Sequence, residues 1–153
     1  MNPFDPKAAL LAKHAQHVVL IHFPIALFIA GVVFDFLAQK IKTRGLADVA
    51  YYNLLGAAIS AVPVVVTGLL AWQLQLEGQK LKGILLEHLI LGCTSAVLIW
   101  IVWAMHLRAR QRGPVGFYGR LPLLRLGLEM AAVAVVGLTG HLGGFLSGVN
   151  GGN

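Results

Sequence analysis

The chain carries six histidines: His14, His17, His22, His88, His106 and His141. His17 and His22 open a long apolar run, His88 lies about one turn into another, and His141 lies near the end of a third. At 1.5 Å per residue, His22, His88 and His141 each fall roughly 6–9 Å inside the boundary of their run. An ionisable side chain at such depth is costly, and it faces a bundle interior with a partner. Three imidazoles at one level therefore read as a site. His14 and His106 sit at boundaries and read as contacts with water or lipid headgroups.

Neutral imidazoles in apolar surroundings suit an iron porphyrin. One axial histidine or a pair binds the iron, and two make a low-spin electron carrier. No Cys-x-x-Cys-His occurs, so the group expected is haem b, held non-covalently. Two imidazoles flanking a macrocycle need backbones farther apart than the 8–10 Å of directly packed helices. In an up-down bundle the first and third helices are diagonal, which makes His22 and His88 the first expected pair. His141 can replace one ligand, bind a propionate, or join His17 at a second haem, so one or two groups fit. Gly140 and Gly144, in a repeated Gly-x-x-x-Gly pattern, open a slot for the edge of the macrocycle. The same glycine face would equally admit a helix, including that of a second copy in a homodimer. A bare copper or zinc ion is the competing chemistry. His14 and His17 share a helix face, with only Asp5 and Glu87 as carboxylates among the histidines.

The other polar residues of the runs have simpler readings. Asp35 is expected at a boundary, paired with a loop Lys or Arg. Glu129 follows Arg125 by four residues, the spacing of an intrahelical ion pair. Glu87 is expected on the outer surface. Thr67, Thr94, Ser95 and Thr139 read as interhelical hydrogen bonders, and Cys93 as core filler. Pro24 frees the carbonyl of Leu20, and Pro63 frees that of Ile59. Trp72, Trp100 and Trp103 fall toward run ends, as interfacial aromatics do.

What must position these residues follows from composition. The chain has 153 residues, 58% hydrophobic and only 12% charged. Soluble domains average about 25% charged residues, so a water-facing globule is excluded. Apolar runs cover about 17–37, 53–73, 84–107 and 121–146. Each reaches the roughly 20 residues that cross a bilayer as a helix, and none alternates as a transmembrane strand would. The expectation is one all-α integral membrane domain over 1–153, a four-helix up-down-up-down bundle without a cleavable signal peptide. Lys40, Lys42, Arg44, Arg108, Arg110, Arg112, Arg120 and Arg125 fall on one side of the membrane. Lys7, Lys13, Lys80 and Lys82 fall on the other. The richer side is expected to be cytoplasmic, with both termini outside, which in a bacterium is the periplasmic face of the inner membrane. These flanking charges explain the net charge of +6 without nucleic acid.

The string His17-Val18-Val19-Leu20-Ile21-His22-Phe23-Pro24-Ile25-Ala26 resembles the opening motif of the membrane family called domain of unknown function 2231. Thr67-Gly68-Leu69-Leu70-Ala71-Trp72, His88 and Gly140-His141-Leu142-Gly143-Gly144 are similar to its later motifs. Two positions depart: Val18, where the family often has proline, and Ala71, where it often has an acidic residue. The resemblance covers nearly the whole chain and implies four helices. It also implies electron-transfer company, because relatives occur beside Rieske-type and c-type cytochrome modules. The leading expectation is a small b-type cytochrome-like protein, an electron carrier or the membrane anchor of a redox complex. A quinone could sit beside the haem. The alternatives are a haem-free assembly or structural subunit and a His-rich copper or zinc protein. A transporter is disfavoured because the chain has no inverted repeat and no series of membrane carboxylates. A hydrolytic enzyme is disfavoured because no serine or cysteine nucleophile meets a histidine at matching depth.

Overall fold

The computed structural model describes residues 13–75, 78, 80–113 and 122–147. All regular structure among them is helical: α1 (Lys13–Leu20), α2 (His22–Ile41), α3 (Arg44–Gln75), α4 (Ile84–Gln111) and α5 (Pro122–Leu146). Four spans are long and apolar enough to cross a membrane: Gln16–Ile41, Arg44–Leu74, Ile84–Gln111 and Leu123–Leu146. The first of these joins α1 and α2.

The break between α1 and α2 has a local cause. Pro24 has no N–H to offer Leu20, and regular helix lapses for one residue at Ile21. Ile21 keeps a right-handed helical backbone and still donates to the His17 carbonyl at 3.0 Å. Pro63, by contrast, leaves α3 continuous.

The second helix starts nine residues before the expected 53, so the first connection shrinks to Lys42 and Thr43. Hydropathy alone misses this turn because its apolar side is made of small residues. Ala47, Ala50 and Leu54 are buried, while Asp48 reaches across to Arg110 at 2.7 Å. Lys42 turns the chain in the left-handed region, with φ 55°.

Neighbouring spans pack as a ring, first on second, second on third, third on fourth and fourth on first. The first and third spans are diagonal, as the sequence reading required. The core is a cluster of Phe28, Val32, Leu54, Ala57, Ala58, Ala61, Ile99, Val102, Ala132 and Val136. Large apolar side chains such as Phe36, Ile59, Ile90 and Leu138 face outward, as lipid-facing helices require. The tightest of the described glycines is Gly31, where a Cβ would lie 2.8 Å from Leu54 Cγ and 3.3 Å from the Ala50 carbonyl.

That approach gives a stability prediction. Gly31→Ala should destabilise the bundle by about 1–3 kcal/mol through overpacking. Gly137→Ala, where a Cβ meets nothing within 4 Å, should change little. Unfolding titrations in mixed micelles would compare the two, and equal stability would refute the tight crossing.

Candidate functional site

His17, Trp72, Leu85 and Leu146 line one cavity. The beginnings of the first and third spans therefore meet the ends of the second and fourth at one pole, here the cavity end. The cavity has a volume of ≈ 390 Å³. Its walls are almost entirely apolar, with Val64, Val65, Leu69, Leu81 and Leu89 prominent. Polar atoms come from His17, His88 and Thr139 together with Trp72 and Cys93. This size and character belong to a small-molecule or cofactor site.

Two imidazoles, on diagonal spans, are held in this wall by neighbouring helices. His88 Nδ1 lies 3.1 Å from the backbone carbonyl of Thr139. A carbonyl only accepts, so Nδ1 carries the proton and the lone pair is on Nε2. His17 Nδ1 lies 3.1 Å from Thr67 Oγ1. That hydroxyl donates to the Val64 carbonyl at 3.0 Å, so it accepts from His17, and the same tautomer follows. The Thr139 hydroxyl donates to Val135 at 2.8 Å and accepts from Ser95 at 2.9 Å, which ties the third and fourth spans together beside His88.

Each ring also needs a glycine. A Cβ on Gly68 would stand 3.0 Å from His17 Cε1, and one on Gly143 would stand 3.1 Å from His88 Cε1. Any larger residue would push the imidazoles from their partners.

The structure separates the histidines that sequence depth had grouped. His22 is exposed, lines no part of the cavity, and bonds the Val18 carbonyl of its own span at 2.7 Å. Of the expected pair His22 and His88, only His88 lines the cavity, and His17 lines it with His88. Equal depth misleads here because His17 and His22 are five residues apart, about 140° around the helix. His141 is also exposed and packs edge-on against Phe145 with ring centroids 5.0 Å apart.

The glycine slot shifts by a residue in the same way. Gly143 lines the main cavity, Gly140 lines an adjoining one of ≈ 70 Å³, and Gly144 lines neither. A Cβ on Gly140 would meet Ile25 of its own chain at 3.7 Å. Cys93 is exposed at the cavity wall rather than in the core. Glu87 is exposed as expected, and Thr94 bonds its own helix at Ile90. The His14 side chain and Asp5, which the bare-metal reading used, lie outside the described residues, as do Lys7 and Arg120.

The opposite pole holds what the sequence reading missed. His106 is fully buried, and its Nε2 lies 2.7 Å from Glu129 Oε1 and 3.9 Å from Asp35 Oδ2. Arg125 bonds Asp35 Oδ1 at 3.0 Å. Its Nε also lies 3.8 Å from Glu129 Oε1, the expected i,i+4 pair in a secondary role. Asp35 and Glu129 are likewise fully buried. Asp35 pairs with an arginine, as expected, but one inside the fourth span rather than in a loop. The available signal was that Asp35, His106 and Glu129 each lie about two turns from the same pole.

Two predictions follow. Nitrogen-15 spectra should find the His88 proton on Nδ1. Gly143→Ala should move that resonance, and Gly127→Ala, in open space, should leave it unchanged. A proton on Nε2 would refute the assignment. Arg125→Ala should cost about 3–5 kcal/mol in a detergent unfolding assay, because it strands buried charge. Arg110→Ala, at an exposed pair, should cost no more than about 1 kcal/mol.

Comparison with known proteins agrees with this architecture. No curated protein and no solved structure matches the chain. The family described as predicted membrane protein (DUF2231) matches residues 13–152, nearly the whole four-span bundle with both of its polar poles. With its four apolar spans and a match of that extent, the chain is an integral membrane protein and belongs to the DUF2231 family.

Proposed function

We propose that this protein binds haem b at the cavity end, with His17 and His88 as the iron ligands, and serves electron transfer at a membrane. The observation that supports this most is the hydrogen bonding of both Nδ1 atoms to neighbouring helices. It leaves each ring with its basic nitrogen at Nε2, as metal-ligating histidines oriented by a further partner require. The apolar walls suit a porphyrin face, and the diagonal placement of the two helices suits a flat group between them. A bound haem b would supply one-electron chemistry at this site.

The chain's own residues supply the rest. Thr67 and the Thr139 carbonyl fix the tautomers, Gly68 and Gly143 seat the rings, and the leucines and valines exclude water. The competing ligands fit less well. A bare copper or zinc ion needs three or four protein donors close together. Among the described residues, the only trio of such atoms is Asp35, His106 and Glu129, at the other pole. A metal that brings its own equatorial nitrogens needs only two imidazoles. A quinone carbonyl would need a donor, and His88 with its N–H turned to Thr139 does not supply one. Lys40, Lys42, Arg44, Arg108, Arg110 and Arg112 gather at the other pole. By the positive-inside rule, the cavity end therefore faces outward, toward the periplasm of a bacterial inner membrane. Its partner in this reading is a redox protein docking on that face, such as the Rieske-type or c-type modules that the family resemblance implies.

Purified full-length protein reconstituted with haem b should show a sharp reduced alpha band. His88→Ala and His17→Ala should each abolish it, while His22→Ala, His141→Ala and His106→Ala should retain it. A protein that stays colourless and folded with haem supplied would overturn the proposal. Loss of the band in His22→Ala but not in His17→Ala would overturn the ligand pair.

A further inference from the structure

We infer that Asp35, His106, Arg125 and Glu129 form a proton-binding site inside the bundle, holding one exchangeable proton within their hydrogen-bonded cluster. Three observations lead there. The first is the charge count. Two carboxylates against one guanidinium leave one negative charge, in a place where Asp35, His106 and Glu129 are all 0% exposed. A single unit of charge is expensive to keep in such surroundings, and one bound proton removes it.

The second is geometry. His106 Nε2 and Glu129 Oε1 are 2.7 Å apart, a distance that a shared proton accounts for. Asp35 Oδ2 lies 3.9 Å from the same nitrogen. The proton therefore has three adjacent seats: Glu129, His106 and Asp35. The third is incomplete satisfaction. Asp35 Oδ2 and Glu129 Oε2 are buried without a hydrogen-bond partner among the described residues. A buried carboxylate oxygen without a donor is an acceptor that a bound proton would satisfy.

The cluster also excludes the rival ligand. Asp35, His106 and Glu129 offer three atoms within 4.8 Å of one another, as a metal site would. The Arg125 guanidinium, 3.0 Å from Asp35 and 3.8 Å from Glu129, already occupies the cation's electrostatic place. A divalent ion would leave the buried cluster positive, whereas a proton leaves it neutral. Among the described residues, each span contributes polar groups near this pole. The first gives Asp35 and Gln39, the third His106, and the fourth Arg125 and Glu129. The second gives Asp48, which Arg110 takes in an exposed pair. Gln39, half-buried one turn nearer the pole, donates to Asp35 Oδ1 at 3.5 Å.

Infrared and nitrogen-15 spectra of the full-length protein in lipid nanodiscs test this. At neutral pH the wild type should show either one protonated-carboxyl band or one His106 imidazolium, and the signal should shift in D₂O. Glu129→Gln and Asp35→Asn each remove one negative charge and should each lose it, since Arg125 then balances the remaining carboxylate. Asp48→Asn should keep it. Because the wild type alone decides the first point, a variant that fails to fold does not rescue the idea. A wild type with neither signal, a signal that survives both variants, or one that does not exchange in D₂O would overturn it. So would uptake of one equivalent of zinc by the wild type that Glu129→Gln abolishes.

Discussion

Inside hydrocarbon a polar atom finds no water, so every polar group must be answered by the protein itself. That constraint organises this bundle more than any apolar contact does. The spans are apolar on all sides, and lipid attracts an exposed leucine about as well as a neighbouring helix does. What distinguishes one arrangement from another is where the few polar side chains meet. At the cavity end, His17 meets Thr67 and His88 meets Thr139, joining first span to second and third to fourth. At the charged pole, Asp35, His106, Arg125 and Glu129 join the first, third and fourth spans. Between them the core needs only small residues, such as Gly31 against Leu54 and the alanines of α3, to let backbones approach.

The same constraint explains what the sequence discloses. Span number and class are legible because hydrocarbon thickness sets a minimum length of apolar chain, and 16–41, 44–74, 84–111 and 123–146 all exceed it. The early start of α3 is hidden, since Asp48, Tyr51 and Tyr52 look like loop residues until Arg110 is seen bonding one and stacking over both rings. Depth along a helix is also legible, and it places His88 about one turn into its span. Azimuth is not, because a helix apolar all round carries no periodic signal to say which face is inward. His17 and His22 are therefore indistinguishable by hydropathy, although one bonds Thr67 and the other is exposed. His106 hid for a different reason. Its nearness to Arg108 and Arg110 reads as an interface, while its partners come from residues 71 and 23 positions away.

The two polar poles are chemically different answers to one problem. The cavity pole holds imidazoles whose Nδ1 atoms are hydrogen-bonded to neighbouring helices. The charged pole holds ions that neutralise one another and leave one charge over. The first arrangement suits a bulky apolar group and tolerates a ≈ 390 Å³ opening, because no bare charge depends on dry packing around it. The second tolerates no such opening, and Arg125 lies flush against the carboxylates with its side chain 6% exposed.

Between the poles lie Phe28, Val32, Ile99, Val102 and Val136, none of which has a side-chain polar atom. The polar residues nearest the middle spend their hydrogens on their own helices or at the cavity end. Ser60 bonds Gly56 and Ala57, and Ser95 pairs with Thr139. No hydrogen-bonded chain therefore joins His88 to His106 among the described residues. A proton at one pole and an electron at the other would each have to enter and leave by its own face. Communication between them would run through charge or helix position, not through a relay. The first span is the element placed to carry it, since it presents His17 to the cavity and Asp35 to the charged cluster on either side of the Pro24 break.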